Sequence, residues 1–327
     1  MATNGSDSNP GTLAQPWRNV QKALNTLQPG QRALVRAGTY AQNHRWDRHG
    51  TAAAPVTVAA YPGERPVLHA APSGDTYPVE ISGSYFRLQG FVIENARGTS
   101  GANVYPTGPA HHLELSSNEI RFSQDQGVYA DPSTHDIQVL GNLIRDNGFG
   151  HVPGQHQSHG IYMEGARHLI ANNVIQDHPF GFGIQIYPDN TGSIITGNTV
   201  VSAGYSGIVV GGDGGVDNIV VVNNVFAFNA QYGVAHDSDC PTASRADHNV
   251  VFGNGFGQTQ GGCSGLDYSR GNRTTNPLFV NYPARDLHVN AGSPTIDYAL
   301  PEYSPGADFD GRTRPQAAPD AGAYERP

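Results

Sequence analysis

The apolar positions of this chain fall in short runs, not in the broad stripes of amphipathic helices. LEL, IQV, LIA, IIT and IVVV each lead to an asparagine, and EIRF, LIRD, VIQD, TVVS and VFAF follow one. These asparagines are Asn118, Asn142, Asn173, Asn198, Asn224 and Asn249, spaced by 24, 31, 25, 26 and 25 residues. A third run in each unit opens on glycine: GVYAD from Gly127, GIYME from Gly160, GIQIY from Gly183, GIVVG from Gly207 and GVAHD from Gly233. Apolar and polar residues alternate within the runs, which is the periodicity of strands.

Three strands per repeat with no helix between them cannot build a βαβ sheet. They can build a coil in which each strand stacks on the same strand of the next coil, a parallel β-helix of roughly 25 residues per coil. Stacked asparagines at a tight turn can hydrogen-bond along the stack, and asparagine tolerates left-handed backbone, so an Asn ladder is expected. The exposed first coil needs a cover. Trp17, Val20, Ala23, Leu24 and Leu27 lie on one face of a predicted helix over 16–28, started by Pro16 and ended by Pro29-Gly30. The reading is a single all-β domain: an N-terminal cap over 1–40, coils over 41–275 and a capping tail over 276–327.

Composition narrows the partners. The net charge of -9 provides no basic stripe for phosphates, which argues against nucleic acid. Of the 19 basic residues, Lys22 alone is a lysine. No apolar run is long enough to span a membrane, and a monomer is expected. Ala2 to Pro10 is polar and turn-like, unlike a signal peptide, so the chain is read as a mature secreted protein. Cys240 and Cys263 fit either one disulfide in a secreted protein or two buried thiols.

NGSDSNPGT, QPWRNVQKAL, PGQRALVRAGTY, GIYMEG, GIQIYPD and DFDGRTRPQAAPDAGAYE together resemble the right-handed parallel β-helix repeat proteins of the pectate-lyase-like superfamily. The resemblance covers nearly the whole chain. It implies a right-handed coil, a secreted carbohydrate-active protein and a polysaccharide or oligosaccharide partner. It also favours a Cys240–Cys263 bridge, for which a separation of about one coil is suitable.

Neighbours in a strand point to opposite faces. With Val128, Ile161, Ile184, Ile208 and Val234 inward, Tyr129, Tyr162 and Gln185 face outward, as do Asp131, Glu164, Tyr187 and Asp237. His236 points inward by the same parity. Asp189, Asp213 and Asp239 stand at the following turn. Tyrosines and carboxylates on one face suit an extended glycan. The long step of 31 residues holds HVPGQHQ just before GIYMEG, so His156 and His159 are expected beside that face, with His178 in the equivalent turn one coil on. Aspartates at successive turns can simply form Asx turns, or in register they can hold Ca²⁺, the one cofactor considered.

Three functions remain open. A polysaccharide lyase or uronan epimerase needs a base, an acid and a neutraliser for the uronate. Superfamily lyases often use Lys or Arg as base, and Lys22 sits in the cap. The version this chain allows has His159 as base, Tyr162 as acid and Arg145 or Ca²⁺ as neutraliser, with His156 and Glu164 as further catalytic candidates. Tyr129, Asp131, His178, Gln185 and Tyr187 would bind substrate. A glycoside hydrolase would instead pair carboxylates such as Asp131 and Glu164, about 5 Å apart on adjacent coils. A non-catalytic glycan-binding protein needs only the outward side chains.

Overall fold

In the computed structural model, residues 1–72, 77–98, 101–150, 158–212, 214–237 and 239–326 are described. They form a right-handed parallel β-helix of three long sheets. The first sheet has ten strands, from Arg32–Val35 to Leu266–Asp267. The second has nine, from Thr39–Ala41 to Val250–Phe252, and the third has nine, from His44–Trp46 to Gly257–Thr259. The chain visits the three in turn, and each strand pairs in parallel with its counterpart one coil away.

Strict alternation produces the core. Val104, Val128, Ile161, Ile184, Ile208 and Val234 of the third sheet are wholly buried in one column. Ile93, Ile120, Ile144, Ile175, Val200 and Phe226 make the matching column of the second sheet. Aligned strands place like residues over like, so coils stack without a change of shape.

The asparagines sit between the first and second sheets, and each side chain bonds the next. Asn118 Nδ2 donates to Asn142 Oδ1 at 3.1 Å, Asn142 to Asn173 at 3.0 Å and Asn173 to Asn198 at 2.9 Å. The column continues through Asn224 and Asn249 to Asn272. Its backbone logic differs from the expectation. The left-handed residue is the one before each asparagine: Ser117, Gly141, Asn172, Gly197, Asn223 and His248. The column asparagines turn inward and satisfy buried backbone groups that no ladder reaches.

The N-terminal helix is shorter than its sequence pattern, Val20–Thr26 instead of 16–28. Asp7 is the cause. Its carboxylate accepts the backbone N–H groups of Arg18 and Asn19, and Asn19 Nδ2 at 2.6 Å, which holds Asn19 extended. Val20, Ala23 and Leu24 still bury their face in the core. The tail 276–327 was expected to close the far end. Its packing instead runs back along the second sheet. Leu287, Ala321 and Ala323 cover Val174, Val201 and Val225, and Arg285 reaches Asp146 at 2.8 Å. Buried Arg314 bonds Glu325 at 3.0 Å and Asn172 at 3.2 Å, which anchors the tail there. Cys240 and Cys263 form a disulfide with a Cα separation of 5.4 Å.

Candidate active site

The outward face of the third sheet carries a column of tyrosines. Tyr129 pairs in register with Tyr162, and Tyr162 with Gln185. The rings of Tyr105 and Tyr129 stack at 5.2 Å, and those of Tyr129 and Tyr162 at 5.0 Å. Tyr77 extends the column on one side at 4.7 Å and Tyr187 on the other at 6.3 Å. The Tyr187 ring lies where a Cβ on Gly212 would be, so glycine is required there for the ring to lie over the next coil.

Two residues along each strand comes the polar row. Asp131 accepts three hydrogen bonds: from Tyr105 Oη at 2.9 Å, Thr107 Oγ1 at 2.7 Å and Gly108 N at 3.1 Å. Glu164, 6% exposed, occupies the next coil. Burial pushes its carboxyl up to about 7, the hydrogen bond from Tyr162 opposes that shift, and the charges of Asp131 and Asp189 add to it. Burial and Glu164 together push the Tyr162 phenol well above its ordinary range, so it keeps its proton. Gln185, also largely buried, has no hydrogen-bond partner for Oε1. A half-buried phenol, a carboxyl poised near neutrality and an unpaired acceptor therefore lie on one face, beside a tied carboxylate.

Several expected site residues go elsewhere. His159 is 3% exposed, and its Nδ1 accepts the Phe182 backbone N–H at 3.0 Å. An accepting Nδ1 puts the neutral ring's proton on Nε2, so this imidazole is held as a donor and not as a base. Its ring stacks on Phe182 at 5.2 Å and meets Tyr162 edge-on at 5.7 Å, which makes it a support for the face. His178 is wholly buried, and burial depresses it to about 4. It occupies an interior position that Asn147 holds one coil before, so it does not reach the face as a substrate ligand.

Arg145 lies on the second sheet. It bonds Glu119 at 2.6 Å and also Asp146, within a network that includes Arg121, Glu94 and Arg285. It cannot neutralise a substrate on the third sheet. His156 and Asp213 fall outside the described residues.

The turn aspartates do not gather. Third-sheet pairing matches Ile186 with Val210, but the bridge after the turn matches Thr191 with Asp217. Seven positions separate Val210 from Asp217 where five separate Ile186 from Thr191, so the assumed register is lost. Among the described residues, Asp189, Asp237 and Asp239 form no group that fits Ca²⁺. His236 pairs in register with wholly buried Val210, as parity suggests, but is only half-buried, and its ring nitrogens lie 2.7 Å from Asp237 O and 3.0 Å from Gly261 O.

Two residues escaped the sequence reading. Tyr105 follows Asn103 instead of the usual leading glycine, so its strand did not match the motif. Asp125, one residue before the strand Gln126–Ala130, is pushed up to about 7 by burial, against hydrogen bonds from Ser158 and Gln126. It carries no repeat signal because the corner before each third-sheet strand varies in composition.

The tyrosine column and its polar row thus stand on a right-handed parallel β-helix. A family described as "Right handed beta helix region" matches residues 100–279, and one described as "Pel9A-like, right handed beta helix region" matches residues 1–149. The chain belongs to the family described as "Right handed beta helix region".

An uncharacterized protein of Bacillus subtilis, YwoF, is 22% identical over 367 aligned residues, covering 80% of this chain and 77% of that one. The pectate lyase Pel9A structure superposes over 100% of this chain and 96% of its own, with TM-score 0.75 and 17% identity. The periplasmic alginate epimerase AlgG matches 75% of this chain and 61% of its own, with TM-score 0.55 and 14% identity.

Proposed function

We propose that this protein is a secreted enzyme that cleaves or epimerises a uronic-acid polysaccharide along the tyrosine column, as a lyase or C5-epimerase. The observation that carries this reading is the Tyr162–Glu164 pair. Of the base, acid and neutraliser that β-elimination needs, this pair supplies the first two: an acceptor for C5–H and a donor for the departing oxygen. Glu164 near 7 serves as acceptor, and the raised Tyr162 phenol serves as donor. Tyr105 and Tyr129, whose ring faces are covered by each other and by Tyr77 and Tyr162, offer a row of ring edges to successive sugars. The unpaired Gln185 Oε1 takes a sugar hydroxyl. The similarity to a pectate lyase and an alginate epimerase supports this class of substrate.

The second reading, hydrolysis of a neutral glycan, is favoured by the acidity of the face, where Asp131 and Asp189 both act on Glu164. Against it, the Asp131 oxygens are already engaged by Tyr105, Thr107 and Gly108, which weakens Asp131 as nucleophile or base. The deciding experiment incubates the protein with pectate, alginate, glycosaminoglycans and neutral glycans. Unsaturated, ultraviolet-absorbing products, or C5 inversion seen by NMR, support the first reading. Reducing ends from a neutral glycan without such absorbance support the second. Binding to glycans with no turnover would overturn both.

A further inference from the structure

Across a corner from the tyrosine face, the first sheet carries histidines that the proposed reaction does not use. His111 and His135 are register partners at the starts of strands His111–Ser116 and His135–Leu140. His112 follows in left-handed backbone (φ 53°), which throws its side chain outward. Each of the three offers one ring nitrogen, and these nitrogens lie within 4.8 Å of one another. His111 and His135 stack at 4.8 Å, and Tyr85 stacks on His112 at 4.6 Å.

We propose that His111, His112 and His135 form a binding site for a divalent transition metal that prefers nitrogen ligands, Zn²⁺ foremost. Imidazoles suit Zn²⁺, Cu²⁺ and Ni²⁺, whereas Ca²⁺ and Mg²⁺ take oxygen. Nitrogens around tetrahedral zinc stand about 3.4 Å apart, so modest rotation of these partly exposed rings closes the site. Three histidines leave a fourth position for water or a ligand.

The local bonding supports the assignment. Nδ1 of His111 and Nδ1 of His112 lie 2.8 Å apart, a contact in which one is protonated and the other is not, so a metal would replace a shared proton. Nδ1 of His135 bonds Asp136 Oδ2 at 2.7 Å. Asp136 is in turn gripped by Arg167 at 2.7 Å. This carboxylate–imidazole pairing fixes the orientation of the ring, as outer-shell partners of zinc histidines do.

The test is calorimetric titration of Zn²⁺ into the chelator-treated, dialysed full-length protein, with Co²⁺ absorption as a second readout. One equivalent should bind, and Co²⁺ should give a nitrogen-rich visible spectrum. His112→Asn keeps the left-handed backbone that asparagine tolerates, and should weaken binding at least tenfold with an unchanged melting temperature. Asp136→Asn should weaken it about tenfold or more. Absence of binding, or unchanged binding in His112→Asn, would overturn the proposal.

Discussion

Nδ1 of His159 accepts the backbone N–H of Phe182 at 3.0 Å, joining the start of one third-sheet coil to the next. A residue expected to act as base therefore acts as a brace. His159→Ala should lower stability by roughly 1–3 kcal/mol, because a buried N–H loses its partner. Urea unfolding checks this. An activity loss with unchanged stability would restore a chemical role.

Glu164→Gln should abolish turnover while the protein stays folded. A carboxyl raised to about 7 from 4.5 favours folding in its protonated form. Its contribution is full below the unfolded value and is lost as pH rises through about 7. The variant should therefore gain melting temperature over the parent above neutrality, with the gain vanishing in acid. Thermal melts across pH test the sign.

Asp131→Asn removes a charge that raises Glu164. The limb of the pH–rate profile that reports Glu164 should move to lower pH. The single amide oxygen can keep the hydrogen bonds from Thr107 and Gly108 while Tyr105 Oη turns to accept from the amide N–H, so the melting temperature should stay near the parent's. A profile that does not move would show that Glu164 does not limit the reaction.

Asn173→Ala should cost about 3 kcal/mol or more, because Asn142 N–H and Val139 O both lose buried partners. An equivalent change at exposed Arg270 should be silent within about 0.5 kcal/mol. Equilibrium denaturation compares them.

Replacing Cys240 and Cys263 by serine opens a loop of 23 residues and should cost roughly 3 kcal/mol. Melting under reducing conditions should reproduce the loss.

Much of this molecule is local in origin. Period-two alternation fixed which residues face inward: Val128, Ile161 and Ile184 are all wholly buried. The repeat of asparagines fixed the coil, since stacking needs the same residue at the same corner. The same parity put Tyr129, Tyr162 and Glu164 together, because neighbouring strands of a parallel sheet keep register.

Other features depend on which sheet a residue joins and on what lies one coil away. Arg145 and Tyr162 have similar strand patterns but face different directions around the coil. His178 sits at a corner, where alternation no longer tells inside from outside. The expected register of the turn aspartates fails because seven positions separate Val210 from Asp217 and only five separate Ile186 from Thr191, while the strands on either side keep their pairing. The poise of Glu164 needs desolvation and charges from adjacent coils, and the histidine cluster needs His111 beside His135, 24 positions away. Sequence spacing sets the period of such a fold, while the surroundings that tune a carboxyl or assemble a ligand set arise only when coils stack.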